Sequence, residues 1–191
     1  MPPSHPESRS YLPRLAPEYY RGRVTIFWTH VLHDRATGWL NPSFHQALRE
    51  IFLHIAVRER VCCPIYTLLP DHIHLVWMGL SETSSQLRAA ALFRQQLAAA
   101  LKPYRLQHQS HDHVLRAAER EKSAFAAICY YIAQNPVRAE LCLSASEWPY
   151  TGCLVPGYFD LHPLAANFWD KFWRIYDSAA ERGELGKATP Y

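Results

Sequence analysis

The sequence between residues 61 and 79 reads VCCPIYTLLPDHIHLVWMG, which is two apolar runs separated by one polar break. The runs Val61 to Leu69 and His72 to Met78 are rich in β-branched, aromatic and aliphatic side chains, as strands usually are. The pair Pro70-Asp71 between them is a turn signal. This stretch therefore predicts a β-hairpin.

A strand and a helix are predicted ahead of the hairpin. The run VTIFWTHVL, from Val24 to Leu32, contains β-branched and aromatic residues with no breaker, which is typical of a strand. Asn41 before Pro42 is an N-cap followed by proline at the first helical position. Apolar residues then recur at helical spacing, so an amphipathic helix should continue to about Arg60.

A second helix and a short strand are predicted after the hairpin. Ser84 or Ser85 can cap a helix that runs to about Lys102. Pro103 then stops it, because proline lacks the N–H that the helix needs. The stretch from residue 104 to residue 115 has little periodicity and can supply one more short strand.

A third helix begins at Ser123 and ends or kinks at Asn135-Pro136, since proline disfavours helical backbone in the residue before it. Beyond Trp148-Pro149-Tyr150 we expect a loop, a short aromatic helix around residues 168–176 and a polar tail. Strands separated by two helices, with a hairpin between them, predict an α+β fold of the ferredoxin-like, split βαβ kind. In this fold an antiparallel sheet carries helices packed on one face.

Three segments follow from this reading. Residues 1–22 carry five prolines and predict an irregular N-terminal arm. Residues 23–153 form the domain, and residues 154–191 form a C-terminal extension with a short aromatic helix. With 49% hydrophobic residues in a chain of 191, the domain can bury a real core.

Charge and cysteine content narrow the possible environments. A net charge of +3 is mildly basic, which permits a DNA partner without requiring one. The five cysteines contain no CxxC pair, so they indicate neither a disulfide framework nor a cysteine-rich zinc site. No apolar run approaches the ~20 residues that cross a bilayer. We therefore expect a cytoplasmic protein with no membrane partner.

His72 and His74 are two residues apart on a predicted strand. Side chains at this spacing point to the same face, so both imidazoles emerge together while Ile73 faces the core. Two neutral imidazoles on one face are half of a metal site. The alternative is that they are merely polar groups on the open face of a sheet.

Tyr131 and Asn135 are four residues apart on the third predicted helix and therefore share a face. One offers a phenolic oxygen and the other a carbonyl oxygen, and both can approach the same ion. A helix laid across the sheet could bring them to the histidines. Alternatively, Tyr131 is a half-buried packing residue and Asn135 is only a helix stop.

These segments resemble the paired signature of REP-associated tyrosine transposases, which belong to the single-tyrosine HUH transposases. The resemblance rests on LLPDHIHLVWMG at residues 68–79 and YIAQNPVRAEL at residues 131–141. HDHVLR at residues 111–116 and WPYTG at residues 148–152 extend it over roughly residues 24–153. The HUH triplet alone is a weak signal, but the ordered set at these spacings is specific.

The resemblance implies the HUH nuclease fold and a divalent ion, Mg²⁺ or Mn²⁺, held by His72, His74 and Asn135. It implies that Tyr131 is the nucleophile, which leaves a 5′-phosphotyrosine and a free 3′-hydroxyl. A tyrosine phenol has an unperturbed pKa of ~10, so a nearby cation is needed to favour its attack. Two imidazole ligands would also suit Zn²⁺.

Two local features complicate this assignment. Tyr130 and Gln134 are also four residues apart, and glutamine is the helical ligand in some related transposases. The register of the family motif nevertheless selects Tyr131 with Asn135. Glu140 stands where glycine is common in the family, which places an acidic charge near the expected DNA surface.

The implied substrate is single-stranded or hairpin DNA, with the protein acting as a monomer or homodimer associated with the nucleoid. Candidate phosphate contacts are basic side chains spread along the chain, although any one of them can equally be a solvated surface charge. They are Arg21, Arg23, Arg88, Arg94, Arg116 and Arg138.

Two other functions remain open on the sequence. An inactive hairpin-binding protein would keep the fold without turnover, and a metal-dependent phosphodiesterase would activate water and form no covalent adduct. A histidine-triad hydrolase is disfavoured, because Leu75 and Val76 follow His74 where further histidines would be needed.

His111 and His113 form a second HxH pair, which is either an additional site or a polar loop.

Overall fold

Five strands pair into one antiparallel sheet in the structure, a computed structural model that describes residues 14–182. Their order across the sheet is β4-β1-β3-β2-β5, and each neighbouring pair is antiparallel. The strands are β1 (Thr25–Val31), β2 (Val61–Leu69), β3 (His72–Gly79), β4 (His111–Val114) and β5 (Thr151–Leu154).

Five helices accompany the sheet within residues 14–182. They are α1 (Pro42–Glu59), α2 (Gln86–Ala100), α3 (Lys122–Ala133), α4 (Asn135–Arg138) and α5 (Phe168–Arg182). Helix α1 joins β1 to β2, which lie on either side of β3, and α2 joins β3 to β4 across β1. Two interlocked split βαβ units result, which is the ferredoxin-like topology. The predicted fold class is confirmed.

The predicted hairpin is formed by β2 and β3, with Leu69 opposite His72 and Thr67 opposite His74. The register shifts between Cys62 and Ile65, where the chain must accommodate a proline that has no ladder donor. Because side chains alternate along a strand, this pairing sends His72 and His74 to the same face of the sheet.

The two faces of the sheet carry separate apolar cores. Ile73, Leu75 and Trp77 of β3 lie in the core beneath α1 and α2. Val76 and Met78, on the same face as the two histidines, lie in a second core. The sheet is therefore buried on both sides at this end of β3.

Helices α1 and α2 meet the expectation of helices on one face, whereas α3 and α5 pack on the other. Phe125 and Cys129 of α3 and Phe168 and Phe172 of α5 belong to the second core. The physical reason is that β3 is apolar on both faces, and such a strand must be covered on both.

The segment expected to be a loop after Tyr150 contains β5, which pairs with the edge of β2 through Thr67 and Thr151. Helix α5 is also longer than predicted. In the arm, Pro17–Tyr20 forms a 3-10 turn with Tyr20 buried, while residues 1–13 and the tail 183–191 lie outside the described residues. Among residues 14–182, none of the helices combines the length and apolar character needed to cross a membrane.

The cap of α1 offers a direct test of the sequence reading. The Asn41 side chain accepts a hydrogen bond from the Phe44 N–H at 2.9 Å. Asn41→Ala should lower the free energy of unfolding by about 1 kcal/mol, since the N–H loses its acceptor. Equilibrium urea unfolding measures this change. Asn41→Asp keeps the acceptor and should be near neutral, so equal losses in both variants would contradict the assignment.

Candidate active site

The imidazoles of His72 and His74 converge at the start of β3. Their Nε2 atoms are 3.1 Å apart, and the two rings meet edge to face at 4.6 Å between centroids. Both side chains are partly buried. The structure therefore brings together the two histidines that the sequence pairs.

Asp71 holds the far side of the His72 ring. Its Oδ1 lies 2.6 Å from His72 Nδ1, and its Oδ2 accepts from Arg35 at 2.9 Å. Burial alone would raise the pKa of Asp71, but the hydrogen bonds from His72 and Arg35 keep it below its usual value. Because the ionised carboxylate can only accept, Nδ1 of His72 carries the proton and Nε2 keeps its lone pair.

Thr29 plays the corresponding part for His74. It lies opposite His74 in the β1–β3 pairing, and its Oγ1 is 3.0 Å from His74 Nδ1. Burial of the ring, reinforced by the neighbouring His72, lowers the pKa of His74 to about 3. His74 is therefore neutral at physiological pH and can offer a lone pair to a metal ion.

The two rings fit a divalent ion bound between their Nε2 atoms. If His74 donates from Nδ1 to Thr29, both Nε2 lone pairs face the same point, which a cation would stabilise. Without a cation, the Thr29 hydroxyl can rotate to donate, and His74 Nε2–H then bonds to His72. Metal-binding histidines in proteins are commonly oriented in this way: the ring nitrogen that does not bind the metal donates its hydrogen to a nearby acceptor.

Asn135 is held by the end of α3. Its Nδ2 donates to the carbonyl oxygens of Tyr131 at 3.1 Å and Ile132 at 3.2 Å. The Ile132 carbonyl would normally accept from the N–H of residue 136, but Pro136 has none. The Ile132 carbonyl instead accepts from the Gln134 N–H and from the Asn135 amide. Its Oδ1 consequently points away from the helix and has no partner among residues 14–182.

Tyr131 is half exposed, with 49% of its surface accessible. The guanidinium of Arg138, at the end of α4, lies over its ring at 4.4 Å from the centroid. This cation–π contact fixes the orientation of the ring. Tyr130 is more exposed, and among the described residues it has no corresponding contact with a cation.

Helix α3 packs on β2 and β3, on the face that carries the histidines. No hydrogen bond or ring contact within residues 14–182 joins Tyr131 or Asn135 to His72 or His74. In the same range, no cluster of three His, Cys, Asp or Glu side chains could hold a metal. Asn135 as the third ligand of a metal ion stays a prediction.

The second histidine pair lies on β4, where both side chains are exposed. His113 bonds to Glu119 at 2.9 Å. His111 lies opposite Thr29, which in turn lies opposite His74, so His111, Thr29 and His74 form one row across the sheet. This pair is therefore on the histidine face but outside the convergent site.

The six arginines predicted as DNA contacts differ in their surroundings. Three are engaged by protein groups: Arg23 by Ala180 O at 2.7 Å, Arg88 by Glu59 Oε1 at 3.2 Å and Arg94 by Ser110 Oγ at 3.0 Å. Within residues 14–182 the side chains of Arg21 and Arg116 form no hydrogen bond or close ion pair, although the charge of Arg116 interacts favourably with the Glu119 carboxylate. Arg138 covers Tyr131. DNA contact stays a prediction for all six.

Sequence reasoning missed two residues of the site, Asp71 and Thr29. Asp71 stands next to His72, so its contact could have been inferred from the motif. Thr29 could not, because its position depends on the register of β1 against β3, which no local signal specifies.

One solved structure with a similar fold is that of a REP-associated tyrosine transposase bound to a REP hairpin. The two align with a TM-score of 0.62 and 22% sequence identity, over 74% of this chain and 81% of that chain. No known family profile matches the chain, and no curated protein matches it in sequence. At this identity the likeness shows a shared fold, which confirms the fold that the resemblance implied.

Replacement of Thr29 tests the role of the hydroxyl beside His74. Thr29→Val should weaken Mn²⁺ binding by about 10- to 100-fold, the usual effect of losing an outer partner of a ligating histidine. Titration calorimetry measures the affinity. Thr25→Val is the matched control, since Thr25 lies on the same face of β1 but opposite Met78. Equal affinities in wild type and Thr29→Val would contradict the assignment.

Replacement of Pro136 tests how Asn135 is oriented. Pro136→Ala adds an N–H that can compete with the Asn135 amide for the Ile132 carbonyl, so it should loosen the amide and lower Mn²⁺ affinity without lowering stability. Parallel calorimetry and thermal unfolding separate these effects. Pro42→Ala, at the first turn of α1, controls for the loss of a proline. If Pro136→Ala bound Mn²⁺ like wild type, Asn135 would not depend on the proline.

Proposed function

We propose that this protein is a REP-associated, single-tyrosine HUH transposase, which cuts and rejoins single-stranded or hairpin DNA through a 5′-phosphotyrosine intermediate. The observation that carries this proposal is the convergence of His72 and His74, each with a side-chain oxygen against its Nδ1 atom. The fold shared with a REP-associated tyrosine transposase supports it.

The residues that would hold a divalent ion are His72, His74 and Asn135. Mg²⁺ or Mn²⁺, when bound, would neutralise charge on the scissile phosphate and so favour attack on phosphorus. The contacts of each side chain support this set of ligands: Asp71 and Thr29 orient the two rings, and the end of α3 orients the Asn135 amide.

Tyr131 supplies the nucleophile in this proposal. Its phenolic oxygen forms a bond to phosphorus as the bond from phosphorus to the 3′ oxygen breaks. The phenol loses its proton, and the departing 3′ oxygen gains one to become a hydroxyl. The phosphodiester is thus conserved as a phosphotyrosine ester, which a 3′-hydroxyl can attack in reverse. The half-exposed ring, steadied by Arg138, is accessible to a DNA strand.

A second candidate is a metal-dependent phosphodiesterase in which the histidine site activates water. The observation that favours it is the lack of any described contact between Tyr131 and the histidines. It requires the same ligands but no covalent intermediate. An inactive DNA-binding protein would need neither the metal ligands nor a covalent intermediate.

A denaturing gel distinguishes these functions. Purified protein incubated with labelled hairpin oligonucleotides and Mn²⁺ should give a metal-dependent covalent protein–DNA band. Tyr131→Phe should abolish the band while leaving hairpin binding nearly intact, because only the nucleophilic oxygen is removed. Tyr130→Phe is the matched control and should retain it.

Each alternative gives a different gel. Cleavage without a covalent band would support the phosphodiesterase, and binding with neither would support the inactive protein. Loss of the band in Tyr130→Phe alone would move the nucleophile to Tyr130.

A further inference from the structure

A short turn, His33–Arg35, follows β1. In this turn Asp34 has a φ of 55° and Arg35 a φ of 53°. Within residues 14–182 they are the one pair of successive non-glycine residues with positive φ. Left-handed backbone is unfavourable for a residue that carries a β-carbon, so two such residues in a row store strain. We call this feature the Asp34–Arg35 turn.

Backbone hydrogen bonds tie this turn to the turn between β2 and β3. The Leu32 N–H, just before it, donates to the Asp71 carbonyl at 2.9 Å, and the Arg35 N–H donates to the Leu32 carbonyl at 3.1 Å. On the other side, the His33 N–H donates to the Arg105 carbonyl at 2.8 Å. Strained residues persist only where the surrounding structure determines them, and these contacts do so here.

This geometry determines where the Arg35 guanidinium lies. It donates to Asp71 Oδ2 at 2.9 Å, while Asp71 Oδ1 lies 2.6 Å from His72 Nδ1. A carboxylate held at one oxygen can still rotate about its own side chain, whereas a carboxylate held at both oxygens cannot. Arg35 therefore restricts Asp71, and Asp71 restricts the His72 ring.

Stability does not explain the pair formed by Arg35 and Asp71. The Arg35 side chain is 63% exposed. An ion pair this exposed adds little to the free energy of unfolding, because water screens its charges. The backbone strain that places Arg35 is therefore not accounted for by the strength of the pair. Its effect is on the geometry of the carboxylate.

We propose that Arg35 is a positioning residue for the metal site: acting through Asp71, it holds the His72 ring so that Nε2 faces the ion. This inference rests on the proposed function, which places a divalent ion between His72 and His74. It assigns to the Asp34–Arg35 turn the role of placing the guanidinium.

The charge of Arg35 by itself would act in the opposite direction. Besides burial and His72, this charge helps to lower the pKa of His74, so positive charge is disfavoured there. A divalent cation bound by the same ring would be repelled in the same way. Removal of the guanidinium should therefore tighten Mn²⁺ binding if only its charge matters, and weaken Mn²⁺ binding if its position matters.

Titration calorimetry with Mn²⁺, on the full chain without DNA, measures this sign. Arg35→Ala should weaken binding by about 5-fold, less than the about 10- to 100-fold expected for a direct partner of a ligating ring. Arg35→Lys should bind nearly like wild type, because the contact with Asp71 is made through one nitrogen. Arg105→Ala is the matched control and should leave the affinity unchanged, since Arg105 is an exposed arginine that contacts His33 rather than Asp71.

A double-mutant comparison shows whether Arg35 acts through Asp71. In an Asp71→Ala background, Arg35→Ala should cause no further loss of Mn²⁺ affinity, because the group that transmits its effect is absent. Thermal unfolding of the same variants checks the fold. Arg35→Ala should keep the wild-type midpoint, as expected for loss of an exposed ion pair.

Nitrogen NMR of the histidine rings gives a readout without metal. In wild type the His72 ring should carry its proton on Nδ1, against the Asp71 carboxylate. Arg35→Ala should lower the population of this tautomer, because the carboxylate is free to leave the ring. Arg105→Ala should not change it.

Two variants of Asp34 test the backbone of the turn. Asp34→Gly keeps left-handed backbone accessible and should bind Mn²⁺ like wild type. Asp34→Val disfavours that backbone and should bind as weakly as Arg35→Ala. Both variants remove the same carboxylate, so the difference between them reports the backbone alone. Equal affinities in the two variants would separate the turn from the metal site and overturn its role.

Unchanged or tighter Mn²⁺ binding by Arg35→Ala would overturn the proposal, as would an equal loss in the Asp71→Ala background. The outcome is separable from the covalent-band experiment. A covalent band in wild type with normal Mn²⁺ binding by Arg35→Ala would refute the positioning role alone. Selective loss of Mn²⁺ affinity in Arg35→Ala, with no covalent band in wild type, would refute the transposase alone.

Discussion

The pairing of β1 with β3 is the constraint on which the candidate site depends. It places Thr29 beside His74 and, through β4, puts His111 in the same row. A slip of one residue would turn every side chain of β1 to the opposite face and remove the hydroxyl from the site. Burial prevents such a slip, because Ile26 and Trp28 lie in the first core.

Local signals were enough to predict most of the fold. The hairpin followed from Pro70-Asp71 between two apolar runs, and the start of α1 followed from Asn41. Strand β5 was missed because four residues are too few to show a periodicity, and its burial depends on packing from elsewhere. The second layer of helices was missed for a related reason: apolar residues on both faces of β3 look like an ordinary core strand in sequence.

The site was predictable where its chemistry follows from spacing within one element. A spacing of two residues on a strand placed His72 and His74 on the same face. A spacing of four residues on a helix did the same for Tyr131 and Asn135. Spacing within one element says nothing about how α3 lies relative to β3. The sequence therefore could not determine whether the histidine pair and the Tyr131–Asn135 pair meet. The position of Thr29 beside His74 likewise required a register that only the folded sheet provides.

Asn135 shows that a structural role and a functional role need not be alternatives. The Asn-Pro step ends α3, as a helix stop should, since Pro136 withholds the N–H that the Ile132 carbonyl would receive. The Asn135 amide nitrogen donates to the Tyr131 and Ile132 carbonyls at this helix end. Rotation of the amide would set its oxygen against two carbonyl oxygens, so the orientation is fixed. The end of α3 therefore orients the Asn135 amide, and the ligand role proposed for Asn135 depends on this orientation.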